Sequence, residues 1–143
     1  MNETIERFGY PATLLREYEH WLVLLRPAQV TLGSLVVAAK SEATAFADLP
    51  AAAFAELATV TAEVEGALRR AVDYARINWL MLMMADPNVH FHVLPRYEGT
   101  REGDGLTLGD AGWPKVPDLA SATTLEEAQR DALVGWLKGY FPS

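Results

Sequence analysis

The sequence predicts an α+β fold, and three local patterns carry that prediction. Between residues 48 and 74, apolar side chains recur at steps of three and four, which is the spacing of one face of a long helix. Residues 89–96 alternate in side-chain type, as a strand with one buried face does. Residues 124–127 have the order of a capping box and predict a C-terminal helix that runs to about Tyr140. Helical and strand patterns in separate stretches are typical of the α+β class.

The first third of the chain is expected to contribute strands. Residues 14–25 allow two interpretations, because their apolar side chains have helical spacing but the same stretch can fold as a hairpin that turns near residues 18–19. Residues 34–38 follow Gly33 and are rich in residues that favour β structure. We therefore predict a strand there.

The long helix and the elements after it have recognisable ends. Asp48 is close enough to cap the helix, and Pro50 suits its first turn. Residues 78–84 are almost wholly apolar, which predicts a strand covered on both faces. A turn over residues 85–88 then leads into the alternating strand. Residues 98–112 are rich in Gly, Asp and Thr and predict a loop.

Composition limits the classes of protein to which the chain can belong. Its 143 residues suit one domain, and the absence of cysteine excludes disulfides and thiolate metal sites. The formal net charge of −7, from 12 Lys and Arg against 19 Asp and Glu, argues against long nucleic acid as a partner. Residues 1–7 lack the apolar run of a signal peptide, and the longest apolar stretch, residues 79–85, is too short to cross a bilayer. We therefore expect a cytoplasmic protein that does not contact membranes.

Residues 88–96 hold the side chains most able to carry chemistry. His90 and His92 lie on one face of the predicted strand, about 6–7 Å apart by the rise of a strand. An imidazole near neutral pH is partly uncharged and can attack phosphorus or accept a proton. Arg96 lies further along the same face, and its planar guanidinium suits a phosphate.

Two plainer interpretations of the histidine pair stay open at this point. The two histidines can simply be polar residues on a solvent-exposed face of the sheet. It can also belong to a metal site, although zinc takes three or four ligands and the chain offers only His20 and a carboxylate such as Asp86 as further candidates. Nothing in the spacing requires such a site, so we predict no metal and no cofactor.

The stretch 88–96 resembles the signature of the histidine-triad family, in which three histidines alternate with apolar residues and two apolar residues follow. Asn88 stands at the first histidine, His90 at the middle one and His92 at the third. Upstream, Gly33 stands at the family's usual glycine. The chain is most similar to bacterial members described as diadenosine-polyphosphate hydrolases.

The resemblance implies a fold and an assembly. The fold is an antiparallel sheet of about five strands with one long helix packed on it and a C-terminal helix. Residues 1–143 would form a single domain of this kind, with its core in residues 13–97 and a loop and helix in residues 98–143. Members commonly form homodimers by joining two sheets, so a homodimer is expected.

The resemblance also implies a reaction. The middle histidine, here His90, attacks the α-phosphorus of a bound nucleotide and forms a nucleotidyl-histidine intermediate, which water or another acceptor resolves. His92 would order the imidazole pair and Asn88 would complete the catalytic set. The substrate would contact four further side chains: Arg26, Ser34, Asn78 and Arg96. We expect a hydrolase or nucleotidyl transferase that acts on dinucleoside polyphosphates or related nucleotide conjugates.

Two departures from the family pattern keep an alternative open. Asn88 lacks the titratable group of a histidine, although it keeps a hydrogen-bond donor and acceptor. Ser34 stands where many members carry a histidine. The alternative is a nucleotide-binding protein that has lost turnover.

Overall fold

A computed structural model describes all 143 residues and places a five-stranded antiparallel sheet between two covering layers. The chain forms nine strands: β1 (Leu14–Glu17), β2 (Trp21–Leu25), β3 (Ala28–Gln29), β4 (Leu35–Ala39), β5 (Arg76–Leu80), β6 (His90–Arg96), β7 (Thr100–Gly103), β8 (Leu106–Gly109) and β9 (Thr123–Thr124). The five-stranded sheet has the order β1-β2-β4-β6-β5, and the pairs β3-β9 and β7-β8 form two small sheets. The helices are α1 (Glu3–Arg7), α2 (Ala51–Val72) and α3 (Glu127–Lys138). This arrangement confirms the predicted α+β class with its central sheet, long helix and C-terminal helix.

The two faces of the sheet have different covers, and alternation along each strand decides which side chain meets which cover. One face packs against α2 and α3 and forms the main core, which includes Trp21, Val37 and Val93. The other face presents Leu22, Leu24, Val36 and Ala38 to Ile5 of α1, and these five residues form a second, smaller core. Because both faces are covered, every residue of β2 and β4 is buried.

Two predictions in the first half need refinement. Residues 14–25 form the hairpin and not the helix, with β1 and β2 paired antiparallel. Helix α2 begins at Ala51, and Asp48 does not cap it, because Asp48 lies in a separate 3₁₀ turn, Phe46–Asp48. Pro50 occupies the N-cap position and has no side-chain bond to the helix. Gly33 has a φ of +95°, and a Cβ there would lie within 3.3 Å of Leu68 and Pro95, which explains why glycine is required.

Three predictions in the second half are wrong. The apolar strand ends at Leu80 and not at residue 84, and it is the half-exposed edge of the sheet and not an enclosed strand. Residues 98–112 contain the β7–β8 hairpin and not a loop, and its turn residues Asp104 and Gly105 both have the positive φ of an Asp-Gly hairpin turn. The capping box is formed by Glu126 and Gln129, because residues 123–124 pair with β3 instead of starting α3.

The N-terminal helix α1 was not predicted at all. It has only five residues, and Asn2 caps it by accepting a hydrogen bond from the backbone N–H of Ile5. Asn2 also donates to the carbonyl oxygens of Ala39 and Ser41, at 2.8 and 2.9 Å. No helix of the structure has the length and apolarity needed to span a membrane.

Candidate active site

His90 is held in one tautomer by the backbone before it. Its Nδ1 lies 2.7 Å from the carbonyl oxygen of Asn88. A carbonyl oxygen can only accept a hydrogen bond, so Nδ1 carries the hydrogen. In the neutral ring the lone pair therefore resides on Nε2, which is the atom needed for attack on an electrophile.

His92 is held in the opposite tautomer by Arg26. The Nε of Arg26 donates to Nδ1 of His92 at 3.2 Å, and an arginine has no acceptor, so the hydrogen of the His92 ring lies on Nε2. Arg26 is itself fixed by a 2.6 Å bond from its guanidinium to the carbonyl oxygen of Ala28. The two rings lie 5.0 Å apart in a T-shaped arrangement. One imidazole thus presents a lone pair and its neighbour presents an N–H donor.

The surroundings of His92 keep its ring uncharged. Burial, followed by the positive charges of Arg26 and of His90, lowers the pKa of His92 from 6.5 to about 4, against a weaker opposing effect of Asp86. At neutral pH the ring is therefore a hydrogen-bond donor without a net charge. A donor of this kind suits a phosphate oxygen next to His90.

The lowered pKa makes stability depend on pH through His92. The unfolded chain binds the proton near pH 6.5 and the folded chain only near pH 4, so this contribution is complete above about pH 6.5 and is lost as the pH falls toward 4. Between about pH 7.5 and 5.5 we expect a loss of about 1.3 kcal/mol in the free energy of unfolding. Denaturant titrations of the wild type and of His92→Gln measure this as the difference between their pH profiles, since both proteins keep His20 and His90. Parallel profiles would contradict the assignment.

Asn88 ties the N-terminal helix to the histidine strand. Its Oδ1 accepts from the backbone N–H and the hydroxyl of Thr4, at 3.3 and 3.1 Å, and its backbone N–H donates to the same hydroxyl at 3.0 Å. Its Nδ2 donates to the carbonyl oxygen of Glu42 at 3.0 Å. The amide is therefore satisfied within the protein, and the part of Asn88 that faces the reactive ring is its backbone carbonyl.

Residues 1–13, which we call the N-terminal cover, close the sheet face that carries His90 and His92, which we call the histidine face. The ring of Phe8 lies 5.5 Å from the ring of His90 and 5.7 Å from that of His92. As a result His90 is only 1% exposed and His92 only 8%. A ligand can reach Nε2 of His90 only when the cover moves.

The structure separates the four predicted substrate contacts. Arg26 is used on His92, as described above. Ser34 is fully buried, and its hydroxyl donates to the carbonyl oxygen of Thr31 at 2.7 Å inside the turn before β4, so it is not brought to the histidines. Asn78 and Arg96 contact each other, with the guanidinium donating to Oδ1 of Asn78 at 2.9 Å.

The guanidinium of Arg96 already donates within the protein and has no free pair of nitrogens for a phosphate. Its Nε and one terminal nitrogen donate to the two carboxylate oxygens of Asp110, at 2.6 and 3.0 Å. The side chains of this pair are 4% and 1% exposed. The same guanidinium donates to the carbonyl oxygen of Lys115 at 2.9 Å. The predicted phosphate ligand is thus a buried link between β6 and the segment at residues 110–115.

Asn78 and Arg96 nevertheless line a cavity of about 310 Å³ on the histidine face. We call this cavity the basic pocket. Its floor comes from β5 and β6 and its wall from the segment at residues 113–117; the lining residues are Arg76, Asn78, Leu80, Arg96, Trp113, Pro114, Lys115, Val116 and Pro117. Leu80 is paired in register with His92, so the pocket begins beside the reactive strand. The period of β5 places Arg76 on the same face as Asn78, and the large apolar ring of Trp113 is the local signal that residues 113–117 dock onto the domain.

No group of three or more His, Cys, Asp or Glu side chains is arranged to hold a metal ion. His20 lies in the β1–β2 turn region, with its Nε2 3.9 Å from Glu19. The structure therefore offers no third ligand to the histidine pair.

Comparison with known proteins relates the chain through its fold alone. No protein-family model and no curated protein matches it. Among solved structures, a histidine triad protein from Bradyrhizobium japonicum is 17% identical, with a TM-score of 0.74 over 99% of this chain and 96% of that chain. A histidine triad protein from Sinorhizobium meliloti is 20% identical, with a TM-score of 0.73 over the same shares of the two chains.

A hypothetical histidine triad nucleotide-binding protein from Sulfolobus tokodaii is also similar. It is 19% identical, with a TM-score of 0.69 over 96% of this chain and 88% of that chain. At these identities the likeness establishes that the chain has the fold of histidine-triad proteins. What the site does has to be argued from its own side chains.

Proposed function

We propose that this protein is a histidine-triad nucleotide hydrolase or nucleotidyl transferase that acts on dinucleoside polyphosphates or related nucleotide conjugates. The observation that carries the proposal is the 2.7 Å bond from Nδ1 of His90 to the Asn88 carbonyl, because it leaves the Nε2 lone pair as a fixed nucleophile. The histidine-triad fold and the nucleotide-binding name of the Sulfolobus protein support the choice of a nucleotide.

The proposed reaction has two displacements at phosphorus. The lone pair on Nε2 of His90 attacks the α-phosphorus, the bond from phosphorus to the leaving group breaks, and its electron pair departs with that group. Water or another acceptor then attacks the same phosphorus, the P–N bond breaks, and the electron pair returns to Nε2, while a proton of the attacking water passes to solvent. The Nε2–H of His92 donates to a phosphate oxygen in both steps, because Arg26 holds its tautomer.

The remaining proposed site residues either position another side chain or contact the part of the substrate that lies away from His90. Asn88 positions His90 through its backbone carbonyl. The Oδ1 of Asn78 is taken by Arg96, so its amide Nδ2 remains as a donor toward the basic pocket. Arg96 holds Asn78 and the pocket wall in place. Cytoplasmic location and a single domain over residues 1–143 stay predictions.

A nucleotide-binding protein without turnover is the second candidate, and the burial of the nucleophile favours it. His90 is 1% exposed under the N-terminal cover, and the side-chain amide of Asn88 is already bonded to Thr4 of that cover and to the carbonyl oxygen of Glu42. If the cover opened too rarely, nucleotide could bind elsewhere on the face without meeting Nε2. The two candidates therefore differ in whether a covalent adduct forms.

Incubation with a panel of nucleotide conjugates distinguishes them. We expect release of mononucleotide from diadenosine tetraphosphate or a related conjugate, and an acid-labile mononucleotide adduct on the intact protein detected by mass spectrometry. A nucleotide-dependent rise in melting temperature with neither product nor adduct would establish the binding-only alternative. No product, no adduct and no thermal shift would refute both.

We also propose that the protein is a homodimer built on the β5 edge of the sheet. The outer edge of β5 has no partner strand, and next to it Leu57, Thr61 and Glu65 of α2 line a cavity of about 260 Å³ with Trp79 and Phe91. An unpaired edge beside an apolar groove favours a second copy. Light scattering at micromolar concentration should give about 31 kDa, twice the 15.7 kDa of one chain. Trp79→Arg should shift it toward one chain mass, whereas a wild-type mass of one chain would refute the dimer.

A further inference from the structure

We propose that the basic pocket binds the leaving group and selects substrates whose leaving group is anionic, a nucleotide or a polyphosphate, over substrates that release an amine. This inference rests on the proposed function, since it assigns a direction to the substrate on the histidine face. It names Arg76 and Lys115 as the specificity-determining residues.

The basic pocket lies on the only polar side of the histidine pair. On the histidine face, register places Ala38 beside His90 and Val36 beside His92 on the β4 side, and Leu80 beside His92 on the β5 side. Toward β4 the face is apolar and covered by Ile5. Toward β5 it opens into the basic pocket, whose Asn78 pairs with Leu94, two residues or about 7 Å beyond His92. Once the N-terminal cover has moved, a substrate with its phosphorus at His90 thus has one apolar and one polar direction available.

The basic pocket is also positively charged. Three basic residues, Arg76, Arg96 and Lys115, line the pocket, and no acidic residue does. The chain has only 12 basic residues and a net charge of −7, so this concentration departs from the rest of the protein. Asp110 neutralises Arg96 by their buried ion pair, but Arg76 and Lys115 form no ion pair and are exposed. The cavity therefore keeps two uncompensated positive charges, those of Arg76 and Lys115.

Hydrogen bonds hold the floor and the wall of the basic pocket together. Arg96 joins β5, through Asn78, to the carbonyl oxygen of Lys115, so the floor and wall of the pocket are bonded to each other. Trp113 adds an aromatic surface on which a base can stack. The pocket therefore offers cations for the phosphates of a nucleotide and a flat apolar wall for its base.

The chemistry of the step gives this pocket its effect on rate. As the P–O bond breaks, negative charge develops on the departing oxygen, and fixed positive charge nearby stabilises that transition state. An amine leaving group takes up a proton and gains positive charge, so the same cations oppose its departure. The pocket should therefore raise kcat/KM for anionic leaving groups only.

The test uses the double variant Arg76→Gln/Lys115→Gln, whose altered side chains are exposed, so the fold should be retained. Two substrates carry the same adenylyl group: diadenosine tetraphosphate, which releases a nucleotide, and an adenosine phosphoramidate of a neutral aryl-alkyl amine. We expect kcat/KM to fall about tenfold for the first and less than twofold for the second. The control Arg69→Gln/Lys138→Gln makes the same charge change at exposed sites on α2 and α3, and should change neither value.

A second measurement decides the inference independently of turnover. Calorimetric titration with inorganic tripolyphosphate should show binding to the wild type and to His90→Ala alike, and about tenfold weaker binding to the pocket variant. If the wild type turned over neither substrate, the proposed function would fail, and this titration would still decide whether the pocket is an anion site. Equal losses for both substrates, or equal tripolyphosphate binding by the pocket variant and the control, would overturn the inference.

Discussion

His90→Ala should lower turnover of any accepted nucleotide conjugate by about a thousandfold or more, because it removes the only atom placed for attack on phosphorus. Nucleotide affinity should stay within about tenfold of the wild type, since the apolar half of the face and the basic pocket remain. The variant should fold but be less stable, because the buried ring packs against Phe8 and His92 and bonds the Asn88 carbonyl oxygen. Steady-state kinetics, calorimetry and thermal unfolding measure these three quantities, and intact-protein mass spectrometry reports the covalent adduct.

Two matched histidine variants serve as controls for this result. His92→Ala should lose less, since it removes a donor to the phosphate and leaves the nucleophile. His20→Ala should change nothing, because that ring lies near the β1–β2 turn, outside the site. A covalent nucleotidyl adduct that persisted in His90→Ala would show that another residue attacks.

Asp110→Ala should lower the free energy of unfolding by about 3–5 kcal/mol, the usual cost of stranding one member of a buried ion pair. The carboxylate is 1% exposed and accepts from Nε and Nη2 of Arg96, and it also accepts from the backbone N–H of Tyr97 at 3.3 Å. Removing it leaves the arginine charge buried between β6 and the pocket wall. Denaturant unfolding measures the change.

The comparison needs one surface control and one double variant. Asp131→Ala removes an exposed partner of Arg130 and should cost less than about 0.5 kcal/mol. Adding Arg96→Met to Asp110→Ala should restore part of the stability, because the uncompensated charge is then gone. A loss below about 1 kcal/mol in Asp110→Ala would mean that water reaches the arginine.

Elements with a strong local period were predictable. The helical stripe identified α2, and its error was confined to the ends, where Asp48 turned out to belong to a preceding 3₁₀ turn. The two-residue period of β6 placed His90 and His92 on one face. The β7–β8 hairpin also has a local signal, the Asp-Gly pair at its turn, within a stretch whose Gly, Asp and Thr content favours a loop.

The proposed nucleophile could be chosen from the sequence, because the spacing of His90 and His92 and the family-like residues around them lie within a single strand. How these two rings are oriented and covered depends on contacts between distant parts of the chain. The tautomer of His92 depends on Arg26, 66 positions away, and the cover depends on the bond between Thr4 and Asn88, 84 positions apart. Tertiary structure also decided that Arg96 binds Asp110 and that residues 113–117 complete a basic pocket. Local periodicity reports which side of an element is buried, whereas these contacts depend on which distant segment is packed there, and no pattern within either segment specifies its partner.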